Sequence, residues 1–406
     1  MLPVRGAMPG GETVGGPRRS GVAMDPLEIP LSRPDLSPLE TRLVLDVLAS
    51  ERLAMGPMTE EFERRVAERV GVPHAVAVSS GTAGLFCVLR AMGLGPGDEV
   101  ITTPFSFVAS TNVILHVGAT PVFVDIEPVT LNMDPGLIER AITARTRAIL
   151  AVEAFGNPCH MDLYESIAAR HGLFMIEDCC EALGARHRGR SAGSFGHAGV
   201  FGFYPNKQIT TGEGGMIVTR DARIAEICRS LRNQGRPSPS RGAGWHSFER
   251  VGYNFRIGEL QSALGVAQMR RLDELLERRG LVAKRYIDRL SGMGELVLPT
   301  VDRDSEMSWF VFVPRLGVGY SREERDEVME GLRLHDIGAS DYFPCIHLMP
   351  FIRESLGTGT GMFPIAESIS SRTIALPFHG KLTEREIDLV VQTLELLLGR
   401  LGLRRP

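Results

Sequence analysis

The feature that most constrains this chain is a steady alternation, from Thr59 onward, between short β-rich runs and amphipathic helical segments. Strands are expected at Ala75–Val78, Glu99–Thr102, Val122–Asp125, Ala148–Val152, Phe174–Glu177, Val200–Phe203 and Gly215–Val218. Helical segments such as Glu60–Val70, Ala83–Met92 and Leu163–His171 separate several of them. This alternation argues for an α/β fold, a mostly parallel seven-stranded sheet between helices. Several of the strands are continuous apolar runs, as expected where both faces of a sheet are buried. Near Ile257 the texture changes to a long helical stretch, dense in Leu, Arg and Glu, that runs to about Leu290. Strand candidates at Trp309–Val313 and Ile374–Leu376 follow, with a closing helix from about Thr383 to Leu398. The reading is a large domain at 28–270 and a smaller C-terminal α+β domain at 271–406, joined by the long helix.

Composition limits the function classes. A chain of 406 residues suits two units. Apolar residues at 43% and charged residues at 23% are ordinary for a globular protein. A net charge of −4 with both signs interspersed gives no reason to expect nucleic acid or an anionic membrane as partner. No apolar run approaches the roughly 18–20 residues that cross a bilayer. The cysteines are scattered apart from Cys179–Cys180 and show no CxxC spacing, so reduced thiols of a cytoplasmic protein are expected and no metal site. Residues 1–27 are rich in Gly, Pro and Arg without the apolar core of a signal peptide; disorder is expected there, and Met24 is an alternative start.

Three segments carry chemistry. Ser79-Ser80-Gly81-Thr82-Ala83-Gly84 follows a strand and opens a helix, where small residues let backbone N–H groups approach an anion; an ordinary Ser N-cap is the plainer alternative. Ile176-Glu177-Asp178 ends an apolar strand on the side where open α/β sheets collect ligands. A carboxylate there either faces water or holds a protonated pyridine nitrogen, as pyridoxal phosphate (PLP) requires of its protein. Phe201–Gly215, FGFYPNKQITTGEGG, sets one lysine among aromatic and small residues before a glycine-rich turn. Desolvation in such surroundings keeps part of a lysine's amine neutral for attack on an aldehyde, whereas a loop lysine in water does nothing of the kind. Gly93-Leu94-Gly95-Pro96-Gly97 follows a helix and precedes a strand, the reverse of a dinucleotide fingerprint, and reads as a helix-terminating turn.

In their order along the chain, SSGTAG, GPGDEVITTPFSFVAS, GATPVFVDI, IEDCCEALGA, FYPNKQITTGEGG and VGYNFRIGELQSALG closely resemble the DegT/StrS-type sugar aminotransferases among the fold-type-I PLP transferases, over about Ile29 to Leu396. The resemblance implies Lys207 as the Schiff-base lysine, Asp178 as partner of the pyridinium nitrogen, and Phe107 as the ring stacked on the cofactor. It places Gly81 and Thr82 in the phosphate-binding turn and Glu181, where many relatives have Gln, beside the phenolic oxygen. Asn254 matches an asparagine that reaches the phosphate of the neighbouring subunit, which implies a homodimer with shared sites. Gly202 replaces a common Ser, and Glu153 stands where His is frequent. Glu153, Arg256, Tyr342 and His347 are the candidate substrate residues, with a buried structural role the alternative for Tyr342 and His347. The implied reaction takes an amino group from L-glutamate to a nucleotide-linked keto sugar in the cytoplasm. Alternatives are a keto-cyclitol or other ketone as acceptor, or a non-catalytic ligand-sensing relative. A sugar dehydratase of the same family would carry His in place of Lys207.

Overall fold

The computed structural model describes residues 28–237 and 246–402; the expectations for the N-terminal tail lie outside them. The chain begins with two helices, α1 (Pro38–Ala49) and α2 (Pro57–Val70), and then enters the alternation. Its order is β1 (His74–Val78), α3 (Gly81–Ala91), β2 (Glu99–Thr102), α4 (Ala109–His116), β3 (Thr120–Phe123), α5 (Pro135–Ala141), β4 (Thr146–Val152), α6 (Met161–His171) and β5 (Phe174–Asp178). Two short strands, β6 (Arg186–His187) and β7 (Arg190–Ser191), precede β8 (Ala198–Gly202), β9 (Gly215–Thr219) and α7 (Ala222–Arg232).

Seven of these strands form one sheet in the order β1-β9-β8-β5-β4-β2-β3. Only β9 runs against the rest, pairing antiparallel with both β1 and β8. All seven strands expected from the sequence are present, with ends shifted by a residue or two. The sheet is buried on both sides, and side-chain alternation sorts each strand between two cores. Val76, Val78, Leu150, Ile176, Val200 and Ile217 join one. Ala75, Ala77, Phe201 and Met216 face the opposite side, as do Ile149, Ala151 and Met175.

The long helical stretch is two helices, α8 (Glu259–Arg270) and α9 (Leu272–Leu290), separated by a break at Arg271. That side chain reaches Asp35, Glu40 and Glu274, tying the break to the segment before α1. From α9 the chain builds a second core with Phe312, Leu376, Phe378 and the helices α10 (Arg322–Leu334) and α11 (Glu384–Gly402). Ile29 packs into this core and bridges to Ile337. We propose the break at 270/271 as the domain boundary, with residues 29–31 attached to the C-terminal unit.

The strand candidates in that unit are corrected. Trp309–Val313 and Ile374–Leu376 meet only in isolated bridges such as Phe312–Leu376. Part of the backbone of the first is used elsewhere: Phe310 N–H donates to the Phe155 carbonyl, and the Trp309 and Phe310 carbonyls accept from the Arg279 side chain. A ladder needs consecutive backbone groups, and these are taken.

Candidate active site

Because β1, β2, β4, β5 and β8 point the same way, their C-terminal ends share one edge of the sheet, and each delivers a loop there. From β5 comes Asp178, buried, with Oδ2 accepting from Ser110 Oγ at 2.6 Å and Oδ1 from the Cys180 N–H at 3.2 Å. Ser110 stands in the first turn of α4 and also lies 3.2 Å from Ser106 Oγ. The same loop carries Phe107, whose ring is 63% exposed and so offers an open aromatic face at the edge.

From β1 comes the turn into α3. Ser80 caps the helix by accepting from Ala83 N–H at 3.1 Å. The N–H groups of Gly81 and Thr82 precede it, and no intrahelical carbonyl can serve the first amides of a helix. They stand at the positive end of the helix dipole, suited to a phosphate. A Cβ on Gly81 would lie 2.6 Å from Cys180 Sγ, and one on Gly202 would lie 3.3 Å from the same sulfur. Cys180 therefore fills the space that a larger residue at 202 would need, which accounts for the glycine there.

The β8–β9 connection supplies Lys207. Its Nζ lies 3.4 Å from Glu181 Oε1 and 3.8 Å from the centroid of the Phe310 ring. Both side chains are largely withdrawn from water, at 14% and 7% exposure. Glu181 Oε2 accepts from Phe155 N–H at 2.8 Å. Burial raises the Glu181 carboxyl above its usual range, and the Lys207 charge acts against that rise. Tyr342 completes the cluster: its ring lies near Phe155 and Phe310, its hydroxyl meets the Asn206 side chain, and burial and then the Glu181 charge push it upward.

Two residues essential to this arrangement escaped the sequence reading. Ser110 looks like one more small residue at a helix start. Arg279, on α9, is buried, and donates to the carbonyls of Trp309 at 3.0 Å, Asn206 at 2.9 Å and Phe310 at 3.1 Å. It thus grips both the residue before Lys207 and the aromatic floor beneath it. Burial pushes its guanidinium down to about 10. In the sequence it is one arginine among many on an amphipathic helix.

The structure separates two of the candidate substrate residues from the edge. Glu153 follows β4 with no exposed surface and faces the side of the sheet opposite Asp178. Its neighbours are Glu177 and Cys179, whose ligand atoms all lie within 4.8 Å of one another. His347 is also fully buried, with Nε2 3.0 Å from Glu367 Oε1, and burial lowers it below the usual imidazole range. Neither side chain has surface to offer a sugar; both are internal polar partners. Arg256 is half-buried and donates to Asn233 Oδ1 at 3.0 Å. Asn254, bridged to Asn233, is exposed at the rim, next to the Phe255 carbonyl that accepts from Ser79 N–H.

The donor set fits a pyridine ring bearing an aldehyde and a phosphate. A buried carboxylate held by a serine suits the ring nitrogen, an exposed phenyl suits the ring face, two helix-start amides suit the phosphate, and a buried amine suits the aldehyde. Fold and site together define a PLP-dependent aminotransferase of fold type I. The sequence profile of the DegT/DnrJ/EryC1/StrS aminotransferase family matches residues 34–395, and the chain belongs to that family. It is 39% identical over 372 residues to GDP-perosamine synthase of Caulobacter vibrioides, covering 91% of this chain and 98% of that protein. It is 37% identical over 371 residues to the spore coat polysaccharide biosynthesis protein SpsC of Bacillus subtilis, covering 90% and 95%. Among solved structures it resembles DesV of S. venezuelae (35% identity, TM-score 0.82, covering 88% of this chain and 94% of that one). It also resembles the PMP form of the sugar aminotransferase Spr1654 from Streptococcus pneumoniae (29%, TM-score 0.87, 92% and 99%).

Proposed function

We propose that this aminotransferase moves the amino group of L-glutamate to the carbonyl carbon of a nucleotide-linked keto sugar. The observation that carries the reading is Lys207 Nζ, poised between the Glu181 carboxyl and the Phe310 ring at the sheet edge that also bears Asp178. The relatives named for perosamine and spore-coat polysaccharide synthesis support a sugar acceptor. When bound, PLP supplies the electron sink that spreads the charge left at a substrate carbon. Asp178 would hold the ring-nitrogen proton through a charge-assisted hydrogen bond, about twice the strength of a neutral one. Ser110 fixes the carboxylate's orientation for that task. Lys207 would anchor the cofactor, leave it when glutamate enters, and then carry a proton at its Nζ between neighbouring carbons. Phe107 would cover the ring, and Gly81 and Thr82 would bind the phosphate. Tyr342 would meet the sugar from the opposite wall, and Arg256 would reach it from the rim.

We further propose a cytoplasmic homodimer in which Asn254 of the partner subunit completes each phosphate site. Phe248, 54% exposed, and Val251, 81% exposed, precede Asn254 in the chain, and exposed apolar side chains of this kind are what a second copy would cover. All six cysteines are free, as suits a reducing compartment. Among the described residues no helix is long and apolar enough to cross a membrane.

The test starts from purified protein with PLP. Borohydride should fix the cofactor's visible absorption onto Lys207, located by peptide mass, and L-glutamate should bleach that absorption with release of 2-oxoglutarate. Nucleotide-linked keto sugars should restore it, whereas restoration only by a keto-cyclitol would assign the other acceptor class. No bleaching by any amino donor would mark a ligand sensor. Full turnover by Lys207→Ala without added amine would overturn the assignment of the lysine.

A further inference from the structure

The Lys207–Glu181 contact does more than hold a cofactor site in shape. Glu181 presents two chemically different oxygens. Oε2 is fixed by the Phe155 N–H at 2.8 Å, and Oε1 is left facing Lys207 Nζ at 3.4 Å. The donor is itself held firmly: the Phe155 ring stacks on Phe343 at 5.2 Å, and the Glu181 carbonyl accepts from the Gln208 side chain, one residue beyond the lysine. On the far side of the ammonium lies the Phe310 ring. The other charged or titratable groups facing the pair are Asp178 on β5, Cys180 in the turn after it, and Tyr342 on the C-terminal unit. A lysine that serves as a base needs a neutral nitrogen, yet its proton must go somewhere that leaves no unpaired charge in a dry site.

We propose that Glu181 is that acceptor, so that the buried pair exists in two forms, ammonium beside carboxylate and neutral amine beside carboxylic acid. One proton passes from Nζ to Oε1: an N–H bond breaks, an O–H bond forms, and the pair stays neutral throughout. When Lys207 lifts a proton from substrate carbon it becomes an ammonium beside the protonated Glu181, and it hands that same proton to the neighbouring carbon, so that Glu181 keeps its own proton through the transfer. An amide at this position could hydrogen-bond but could not store the proton. Two influences push toward opposite forms. Phe310 favours the ammonium through the negative face of its ring. Burial and the Asp178 charge favour a protonated Glu181, consistent with the raised position of that carboxyl. The inference deepens the reading of Lys207 as the proton-moving lysine and rests on it.

The experiment titrates the PLP-loaded protein by absorbance, wild type against Glu181→Gln, with melting curves to confirm folding. A carboxylate within about 4–6 Å shifts the proton affinity of its neighbour by about 1–3 pH units. The nitrogen-dependent absorption change in Glu181→Gln should therefore have its midpoint at least about one unit lower than in wild type. The acid limb of the glutamate half-reaction should move the same way. Coincident midpoints in the two proteins would overturn the proposal. If Glu181→Gln does not retain cofactor, Glu181→Asp, which withdraws the carboxyl by one methylene, is read in its place, and no downward shift in it is equally fatal. Borohydride labelling separates the two levels: cofactor fixed to a residue other than Lys207 sinks the lysine reading itself, whatever the midpoints do.

Discussion

Glu153 and Glu177 show what one residue's step along a strand decides. Glu177 and Asp178 are adjacent on β5, so their side chains leave opposite faces, and Glu153 leaves the same face as Glu177. Burial raises the Glu177 carboxyl, but it accepts from the N–H groups of Gly193, Phe195 and Gly196 at 2.8, 2.8 and 2.7 Å, and these donors work against that rise. Glu153 has no such donors beyond the Cys179 thiol, so burial and the adjoining Glu177 charge raise it well above the usual carboxylate range. Of the two, Glu153 is the one pushed further toward its protonated form. A carboxyl raised in the folded state costs nothing below its unfolded value near 4.5. As pH climbs past that value the unfolded chain releases the proton and the folded chain keeps it. Stability then falls by about 1.4 kcal/mol per pH unit until the folded group also titrates. Glu153→Gln has no proton to lose and still donates to Glu177. Its melting temperature should be flatter with pH than that of wild type and higher at pH 8, by about 2 °C or more. Parallel melting curves from pH 5 to 9 would refute this account.

At the scale of the element, α9 is more than a connector. It carries Arg279 into the space behind the lysine loop, where three carbonyls from two separate segments, that of Phe310 buried and those of Trp309 and Asn206 partly so, converge on one guanidinium. Only a planar, multiply donating group can serve all three. Arg279→Lys keeps the charge but not the fork, and Arg279→Met loses both. A buried carbonyl left unpaired costs about 1–3 kcal/mol, so Arg279→Met should lose at least about 2 kcal/mol of stability. Displacing the Phe310 floor should lower kcat about tenfold or more while KM for glutamate moves less, since small misplacements of reacting groups are expensive. Arg279→Lys should fall between the two. Melting curves with steady-state kinetics test this; a variant that is less stable yet fully active would make Arg279 purely a fold residue.

At the scale of the whole molecule, the proposed shared site links assembly to cofactor affinity, because a ligand that binds only the assembled state draws association forward. Asn254→Ala should weaken PLP retention most at low protein concentration. Mixing it with Lys207→Ala gives a sharper test. In a heterodimer one site carries both substitutions and the other neither, because Lys207 and Asn254 of a shared site come from different chains. At a protein concentration where Asn254→Ala has lost its PLP, the two proteins should regain activity on mixing, towards half of the wild-type sites per heterodimer. Verified heterodimers that remain inactive would rule out sharing.

The sequence alone determined the sheet, because a period of two and a period of 3.6 are local properties that buried faces enforce. It also determined the loops at the ends of β1, β5 and β8, since a Ser-capped helix start, a strand-end carboxylate and a lysine between apolar runs are each written in a few consecutive residues. The family resemblance assigned those loops their roles. What the tertiary structure decided was which of the remaining polar residues meet. Glu181 finds Lys207 across 26 residues, Arg279 reaches Asn206 across 73, and Glu259 on α8 accepts the N–H groups of Gly56, Met58 and Thr59 that α2 cannot cap for itself. His347 and Glu153 were plausible in sequence and proved buried, because burial depends on what packs around a residue and not on its own identity. Local order follows from the chain's periodicity, whereas the pairing of charges and carbonyls follows from three-dimensional proximity, and only the folded chain creates that.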